Sequence, residues 1–461
     1  MGEARPIGSR YRRNVLVGLL AVLLVVAAVW GSSFRDAADL AAIEAAIADH
    51  DWPRAESLLG AAPPSDPPPT DSRQRQAAAQ RQFLLGRVAR RQRRFSEAER
   101  CFDAAEQLGL SSRDINRQRL LQRAQSGEVM AVEDEIGRML AEGGDDTFAE
   151  DCYEALAEGF ITAYRMPDAQ RCLDYWSQWQ PRNPLPSYWK GMIETRYERP
   201  VFALEHFASA LALNPRFYDA RIRLAKLELD TARIDDAQRH FGECLTDRPD
   251  DPAATIGLAD CLLRAGDFAA ARSLYHDALA TDLSGEQASG ALVELGQMAL
   301  EEGDVGRAAA LLSQAVAVDP RGTRARLMLA GALLRAGDEE GATRQREIAN
   351  RFAEKQRRLA VITHDALGKP DDPDLRAEVG AILIDEGFVA EGLQWVEMAL
   401  GIDPDHHPSH RVLADYYTAL GEGERAAHHL ALAKGAPRPG PFAAPRAAAE
   451  IPGGAKDGPT P

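Results

Sequence analysis

Cysteine, lysine and aromatic residues are all scarce in this chain of 461 residues. The five cysteines form no C-x-x-C pair and are odd in number, so they predict neither a zinc site nor a complete disulfide framework. We expect their thiols to pack as small core residues. Aromatic residues make up only 7% of the chain, whereas alanine, the strongest helix former, is abundant. The composition therefore favours an all-α protein.

Basic charge is also in short supply, which argues against one class of function. Lys and Arg number 54 against 70 Asp and Glu, so the net charge is −16. General nucleic-acid binding is disfavoured, because it needs a basic face that displaces counterions. The sequence also has no Gly-rich phosphate loop, no G-x-S-x-G turn and no H-E-x-x-H motif. We therefore predict a non-enzymatic protein without catalytic residues, cofactor or metal.

One long uncharged run lies near the N-terminus, from Asn14 to Phe34. It just reaches the length of about 20 residues that a bilayer-spanning helix needs. Arginines precede it and acidic residues follow it, so the positive-inside rule places residues 1–13 in the cytoplasm and the rest of the chain on the far side. The alternative is a cleaved signal peptide, although its apolar region is usually shorter. We predict a transmembrane anchor over 14–34.

The shortage of lysine bears on the location of the protein. Only six of the 54 basic residues are lysine, and such a bias together with high alanine is typical of GC-rich bacterial genomes. With the anchor, this usage predicts a single-pass protein of the bacterial inner membrane whose bulk lies in the periplasm.

A small residue recurs along the chain at a nearly constant interval. Alanine occupies positions 203, 237, 271, 308 and 342, in steps of 34, 34, 37 and 34 residues. Four residues after the first four of these come Phe207, Phe241, Tyr275 and Leu312. Between Ala254 and Ala280, two stretches with helical apolar periodicity flank Gly266 and Asp267. Each interval therefore predicts two helices joined by a turn.

This period and pattern resemble the tetratricopeptide repeat family. The resemblance covers about 79–440 and allows ten units, which begin at Ala79, Arg113, Glu150, Pro184, Tyr218, Pro252, Ser289, Thr323, Pro373 and His407. It implies an all-α superhelical solenoid of about ten helix-turn-helix units, here behind one N-terminal transmembrane helix. It also implies that the first helix of each unit lines a concave groove that binds proteins or peptides.

Outside the regular units, composition predicts the remaining organisation. We expect a degenerate helix pair over 35–62, a Pro-rich linker over 63–72 and the repeat array over 73–440. A 16-residue expansion of the period predicts a helical insertion near 350–367. The tail, 441–461, is rich in Pro, Ala and Gly and is predicted to be disordered.

The family resemblance also implies which residues line the groove. Mapped onto the first helices they are Tyr188, Met192, Arg223, Lys226, Asp260, Arg264, Gln297, Glu301 and Arg335. One subclass of the family clamps the C-terminal carboxylates of chaperones with polar residues. Ile222, Ile256 and Val293 stand in the matching places here, so binding of chaperone tails is disfavoured.

Three further clusters allow two interpretations each. The aromatic residues Tyr175, Trp176, Trp179 and Trp189 predict either core packing or a partner site. Residues 73–123 carry thirteen arginines against five acids, which indicates either a solvated helix face or contact with a polyanion or anionic lipid. The histidines at 406, 407, 410, 428 and 429 are expected to be solvated, with a zinc site as the weaker alternative.

Together these features predict a membrane-anchored scaffold that mediates protein–protein interaction in the cell envelope. The alternative is an accessory subunit of an envelope polymer, or exopolysaccharide, export or assembly system, which the arginine-rich segment 73–123 suggests.

Overall fold

The computed structural model describes residues 42–47, 50–60, 71–143, 146–281, 283 and 285–436, and these residues are helical apart from short turns. The predicted all-α class is confirmed, since the described residues contain no strand. A short helical stretch over 42–47 comes first. The longer helices follow in order as α1 (Trp52–Leu59), α2 (Ser72–Arg91), α3 (Phe95–Gln107), α4 (Ser112–Arg123), α5 (Val129–Ala141), α6 (Asp146–Thr162), α7 (Met166–Trp179), α8 (Leu185–Arg196), α9 (Pro200–Leu213), α10 (Tyr218–Asp230), α11 (Ile234–Asp247), α12 (Pro252–Ala265), α13 (Phe268–Leu279), α14 (Gly285–Glu301), α15 (Val305–Val318), α16 (Thr323–Arg335), α17 (Glu339–Gly368), α18 (Pro373–Asp385), α19 (Val389–Ile402), α20 (His407–Ala419) and α21 (Gly423–Ala433).

From α2 onward the helices follow one another in pairs, each pair joined by a short turn. The first helices of the pairs are α2, α4, α6 and so on to α20. Each contains the start of one predicted unit or begins at it, except α8, which begins directly after the predicted start at Pro184. In the second pair a π-helical segment, Ala124–Glu128, separates α4 from α5. The contacts divide the chain into two compact parts, Met1–Arg358 and Leu359–Pro461, which are described separately below.

The turn inside each pair depends on a residue with a left-handed backbone. Gly266 ends α12 with φ of 87°, and Asp267 then caps α13 by accepting from the backbone N–H of Ala270 at 3.1 Å. Glycine is favoured there because it has no Cβ to clash in this conformation. At the corresponding turn before α11, Ala232 adopts φ of 60°. The same turn therefore forms with some strain where glycine is missing.

Small residues let the helices of adjacent pairs approach, as the repeat pattern predicts. Ala259 and Ala271 are fully buried beside the ring of Tyr275, which also packs against Leu295 of the next pair. At Gly257 the approach is closest, since an added methyl group would lie 2.3 Å from a ring carbon of Phe241. The large residue of each unit thus fills the space between its own pair and the next.

Several predicted segments fall partly or wholly outside the described residues. The predicted anchor at 14–34 and the tail at 441–461 lie there, and among the described helices none is long and apolar enough to cross a membrane. Of the predicted linker 63–72, only the last two residues are described, and α2 already begins at Ser72. Residues 350–367 belong to α17, a single helix of 30 residues.

Candidate binding face of the first helices

The first helices of the part Met1–Arg358 form a row in which most neighbours pack directly. Direct packing joins α2 to α4, α4 to α6, α6 to α8, α10 to α12 and α14 to α16, whereas successive second helices do not pack as closely among the residues described. A side chain bridges one such junction, because Arg264 Nη1 of α12 donates to the carbonyl of Leu229 on α10 at 2.6 Å. We call the surface of this row the inner face.

Two of the predicted groove residues lie partly in the core. The ring of Tyr188 lies 5.1 Å from that of Phe217 and 5.9 Å from that of Phe207, and burial raises the pKa of Tyr188 to about 12. Met192 packs against the same cluster, which also contains Leu204. These two residues therefore support the junction of α8, α9 and α10 as well as lining its inner side.

The other predicted groove residues are more accessible. Asp260 is half-buried and accepts a hydrogen bond from the hydroxyl of Tyr275, and burial raises the pKa of Asp260. Gln297 donates to Glu301 along α14 at 3.2 Å. The exposed charged residues are Arg223, Lys226, Arg264, Glu301 and Arg335. The inner face of α10 to α16 is thus polar and of mixed charge at these positions.

Apolar residues that the sequence did not single out as ligand contacts also reach this surface. The fifth position of successive units holds Ile222, Ile256, Val293 and Leu327, and the twelfth holds Leu229, Leu263, Leu300 and Leu334. All are at least partly exposed except Val293 and Leu229, which are buried. On α16, Leu327 and Leu334 are each 46% exposed. The occurrence of leucine at the twelfth position in four consecutive units is the sequence signal that could have identified these apolar contacts.

The arginine-rich segment 73–123 contains a buried charge network at the start of the inner face. Asp151 of α6 accepts from Arg87 at 2.8 Å and from Arg91 at 2.7 Å, and Arg90 Nη2 lies 3.4 Å away. The Asp151 side chain is 1% exposed, and these arginines hold its pKa below the usual range against the opposing effect of burial. The predicted solvated face is wrong for these three arginines, because acids 60 or more residues away pair with them.

The predicted aromatic patch separates into core and surface residues. Trp176 is fully buried and stacks on Tyr153 at 6.1 Å, so the core interpretation is right for this residue. Tyr175 and Trp179 of the same helix are 64% and 39% exposed. Trp189 is half-buried, with its ring edge-on to Tyr188 at 5.3 Å. The four residues therefore do not form one surface.

The histidine and cysteine predictions have different outcomes. His406 and His410 are buried rather than solvated, and His410 Nδ1 lies 3.1 Å from His429 Nδ1, within the part Leu359–Pro461. Burial and the neighbouring histidines lower the pKa of His429 to about 4. No group of three or more metal-ligating side chains converges within the described residues. The five thiols are unpaired, and all but Cys101 are buried, as expected of small core residues.

A family comparison identifies the repeat. Residues 229–294 and 299–345 match a family model described as tetratricopeptide repeat, and they span α11 to α16 with their connecting turns. The chain contains tetratricopeptide repeats over these residues. The predicted family is therefore confirmed, and the paired helices and the row of first helices are its repeating architecture.

Three solved structures are among those with similarity to this chain. PilW, described as a widely conserved type IV pilus biogenesis factor, is 18% identical over 44% of this chain and 91% of its own, with a TM-score of 0.38. Cut9–Hcn1, the APC/C hetero-tetramer, is 16% identical over 87% and 80%, with a TM-score of 0.35. YrrB, a repeat protein with an unusual peptide-binding site, is 17% identical over 45% and 96%, with a TM-score of 0.26. No curated protein matches the chain.

Proposed function

We propose that this protein is a non-enzymatic, membrane-anchored scaffold that binds protein or peptide segments of the cell envelope along its inner face. The observation that carries the proposal is the pair of exposed leucines on α16, Leu327 and Leu334, on a first helix of the repeat. Exposed apolar residues beside polar neighbours are typical of protein interaction surfaces. A partner of this surface is a segment that inserts apolar side chains between the first helices.

The charges around these leucines refine the kind of partner. Arg335 is exposed one residue beyond Leu334, and Arg223 and Lys226 are exposed on α10. Their side chains would attract a segment that carries acidic groups as well as apolar ones, and such steering weakens as salt rises. We expect affinity to depend mainly on the leucines and the association rate mainly on the basic residues.

The test compares two leucine surfaces of similar exposure. The Leu327→Ser, Leu334→Ser variant removes the apolar surface of the first helix, and Leu213→Ser is the matched control on a second helix, where Leu213 is 41% exposed. Cross-linking in membranes followed by quantitative mass spectrometry measures which proteins each variant retains. We expect at least a tenfold loss of specific partners for the double variant only. Failure to recover any reproducible partner, or equal losses in both variants, would contradict the proposal.

The membrane part of the proposal depends on the uncharged run at 14–34. Alkaline phosphatase fused after residue 436 is expected to be active, because it folds only when exported, and the protein is expected to resist extraction by carbonate. An inactive phosphatase fusion would contradict the periplasmic location. Release of an active fusion by carbonate would instead indicate a cleaved signal peptide.

The alternative role in envelope polymer export or assembly has a weaker basis in the structure. The residues that suggested it include Arg87, Arg90 and Arg91, which contact buried acids rather than solvent. Exposed arginines do remain in that segment, among them Arg73 and Arg113. Co-sedimentation of the protein with anionic vesicles, and binding of acidic polysaccharide at low salt, would favour the alternative over the scaffold.

A further inference from the structure

The segment before the repeat folds back on the first pair. Residues 42–47 and 50–60, which we call the latch, place Ile43, Ile47, Trp52 and Leu59 in a core cluster with Leu84 and Val88 of α2. Arg81 Nη2 also donates to the carbonyl of Leu58 at 3.1 Å. The latch is thus attached to the start of the inner face by apolar packing and by hydrogen bonds from arginine side chains.

The turn of the latch reaches much farther along the array. The ring of His50 lies 5.5 Å from that of Phe217, the residue before α10, and the indole N–H of Trp52 donates to the carboxylate of Asp219. These residues belong to the fifth pair, whereas the body of the latch packs on the first. Contacts in repeat arrays join mainly neighbours. The latch therefore spans the inner face from α2 to α10.

Different groups contact the ring N–H and the aromatic ring of the Trp52 indole. Asp219 accepts from the ring N–H, and burial raises the pKa of Asp219. The guanidinium of Arg91 lies 5.9 Å from the centre of the ring, within reach of a cation–π contact. The ring of His50 meets Trp52 edge-on at 4.8 Å. A carboxylate at the N–H and a cation over the face together favour indole over other aromatic side chains.

Docking of this turn also carries unfavourable features that a permanent core contact would avoid. His50 adopts a left-handed backbone with φ of 57°, which is strained in a residue with a Cβ. Its Nε2 is buried, and no hydrogen-bond partner for it exists among the described residues. A buried nitrogen without a partner loses its hydration without compensation. The turn is therefore held less firmly than its burial suggests, and a better ligand can displace it.

We propose that Arg91 and Asp219 form an indole-binding site on the inner face, and that Trp52 is its resident intramolecular ligand. A protein partner occupies the site by inserting a tryptophan of its own in place of Trp52. This inference rests on the proposed use of the inner face for protein binding. It adds a specificity for tryptophan and a latch that must leave before the first five pairs accept a partner.

The test uses a fluorescent synthetic peptide with the sequence 41–60 as a surrogate for the partner. In the full-length wild-type protein the tethered latch competes at an effective concentration on the order of millimolar, so the peptide binds weakly. In the full-length Trp52→Ala variant the tethered latch no longer fills the indole position and competes less well. Fluorescence anisotropy is expected to show at least tenfold tighter binding of the peptide. Ser57→Ala, an exposed position on α1, is the matched control and should resemble the wild type.

Two further measurements distinguish binding at a specific site from nonspecific binding to a partly unfolded protein. A peptide with alanine in place of its tryptophan should not bind Trp52→Ala, and the Trp52→Ala, Asp219→Ala double variant should lose binding of the native peptide. If far-UV circular dichroism shows that Trp52→Ala is unfolded, Trp52→Phe, which removes the N–H donor but keeps a ring, replaces it in the same comparison.

Equal peptide binding by the wild type and the Trp52 variant would overturn the inference, as would tight binding of the peptide that lacks tryptophan. The partner losses of the Leu327→Ser, Leu334→Ser variant are measured independently of the latch. The scaffold proposal can therefore survive if the latch proposal fails, and the two failures are distinguishable.

Discussion

Replacing Asp151 with asparagine removes the single negative charge on which three arginines converge. Arg87 and Arg91 donate to its two oxygens at 2.8 and 2.7 Å, and Arg90 lies at 3.4 Å. Gln118 donates to the same carboxylate at 3.3 Å. Asparagine keeps the shape of the side chain but presents an amide group, with no charge, to these donors.

The expected loss of stability in Asp151→Asn follows from the burial and the hydrogen bonds of this carboxylate. The side chains of Arg87, Arg90, Arg91 and Asp151 are at most 11% exposed, so water screens the lost interaction very little. Two charge-assisted hydrogen bonds at about 1.5–3 kcal/mol each give a loss of roughly 3–6 kcal/mol. Removal of one partner from a buried ion pair costs about 3–5 kcal/mol in other proteins. We expect a loss of about 3–5 kcal/mol of local stability.

The assay must report on this region, since repeat arrays do not always unfold in one step. Hydrogen exchange measured by mass spectrometry follows the opening of α2, α4 and α6 separately. At about 1.4 kcal/mol per factor of ten, exchange there should accelerate by roughly 100-fold to 4,000-fold. Asp236→Asn is the matched control, because its pair with Arg239 is more than half exposed and contributes less than about 1 kcal/mol. Similar exchange in the two variants would refute the buried-network reasoning.

Three further predictions follow from the backbone and from the latch. Gly257→Ala should lower the free energy of unfolding in urea by about 1–3 kcal/mol, because the new methyl group would meet the ring of Phe241. Gly331→Ala, whose methyl group would enter open space, should instead raise it by about 0.4–1 kcal/mol. Ala232→Gly should relieve the strained turn and raise the free energy of unfolding by up to about 1 kcal/mol, and a decrease would contradict that strain. Burial and the charge of Arg91 lower the pKa of His50. Docking of the latch should therefore be complete above pH 6.5 and weaken as the pH falls below it, so exchange of 42–60 should accelerate in acid relative to His50→Gln.

The pH prediction depends on every charged group that faces His50. Arg91 of α2 opposes protonation, whereas Asp151 of α6 favours it, and burial exceeds both. Asp219 approaches from α10 through its bond with Trp52. Because acid protonates the undocked latch more readily than the docked one, release is the expected direction. Tighter docking in acid would show that the carboxylates dominate.

Much of the architecture followed from local pattern. The 34-residue period predicted paired helices, since helix formation and the turn between helices depend on residues close in sequence, such as Gly266 and Asp267. The burial of Ala271 and Tyr275 followed from the same repeat, as did the position of Arg264 and Arg335 on first helices. These features recur because each helix pair packs against neighbouring pairs of nearly the same structure.

The exceptions are residues whose partners lie several repeats away. The local sequence around Arg91 indicates an exposed helical position, and only the packing of successive first helices brings it to Asp151 of α6. Likewise the sequence predicted a helix pair near Trp52 but not its bond to Asp219. Helical periodicity is a local property that the sequence alone determined. Burial of the charges and the contacts of Trp52 depend on which helices pack together, and only the tertiary structure decided that.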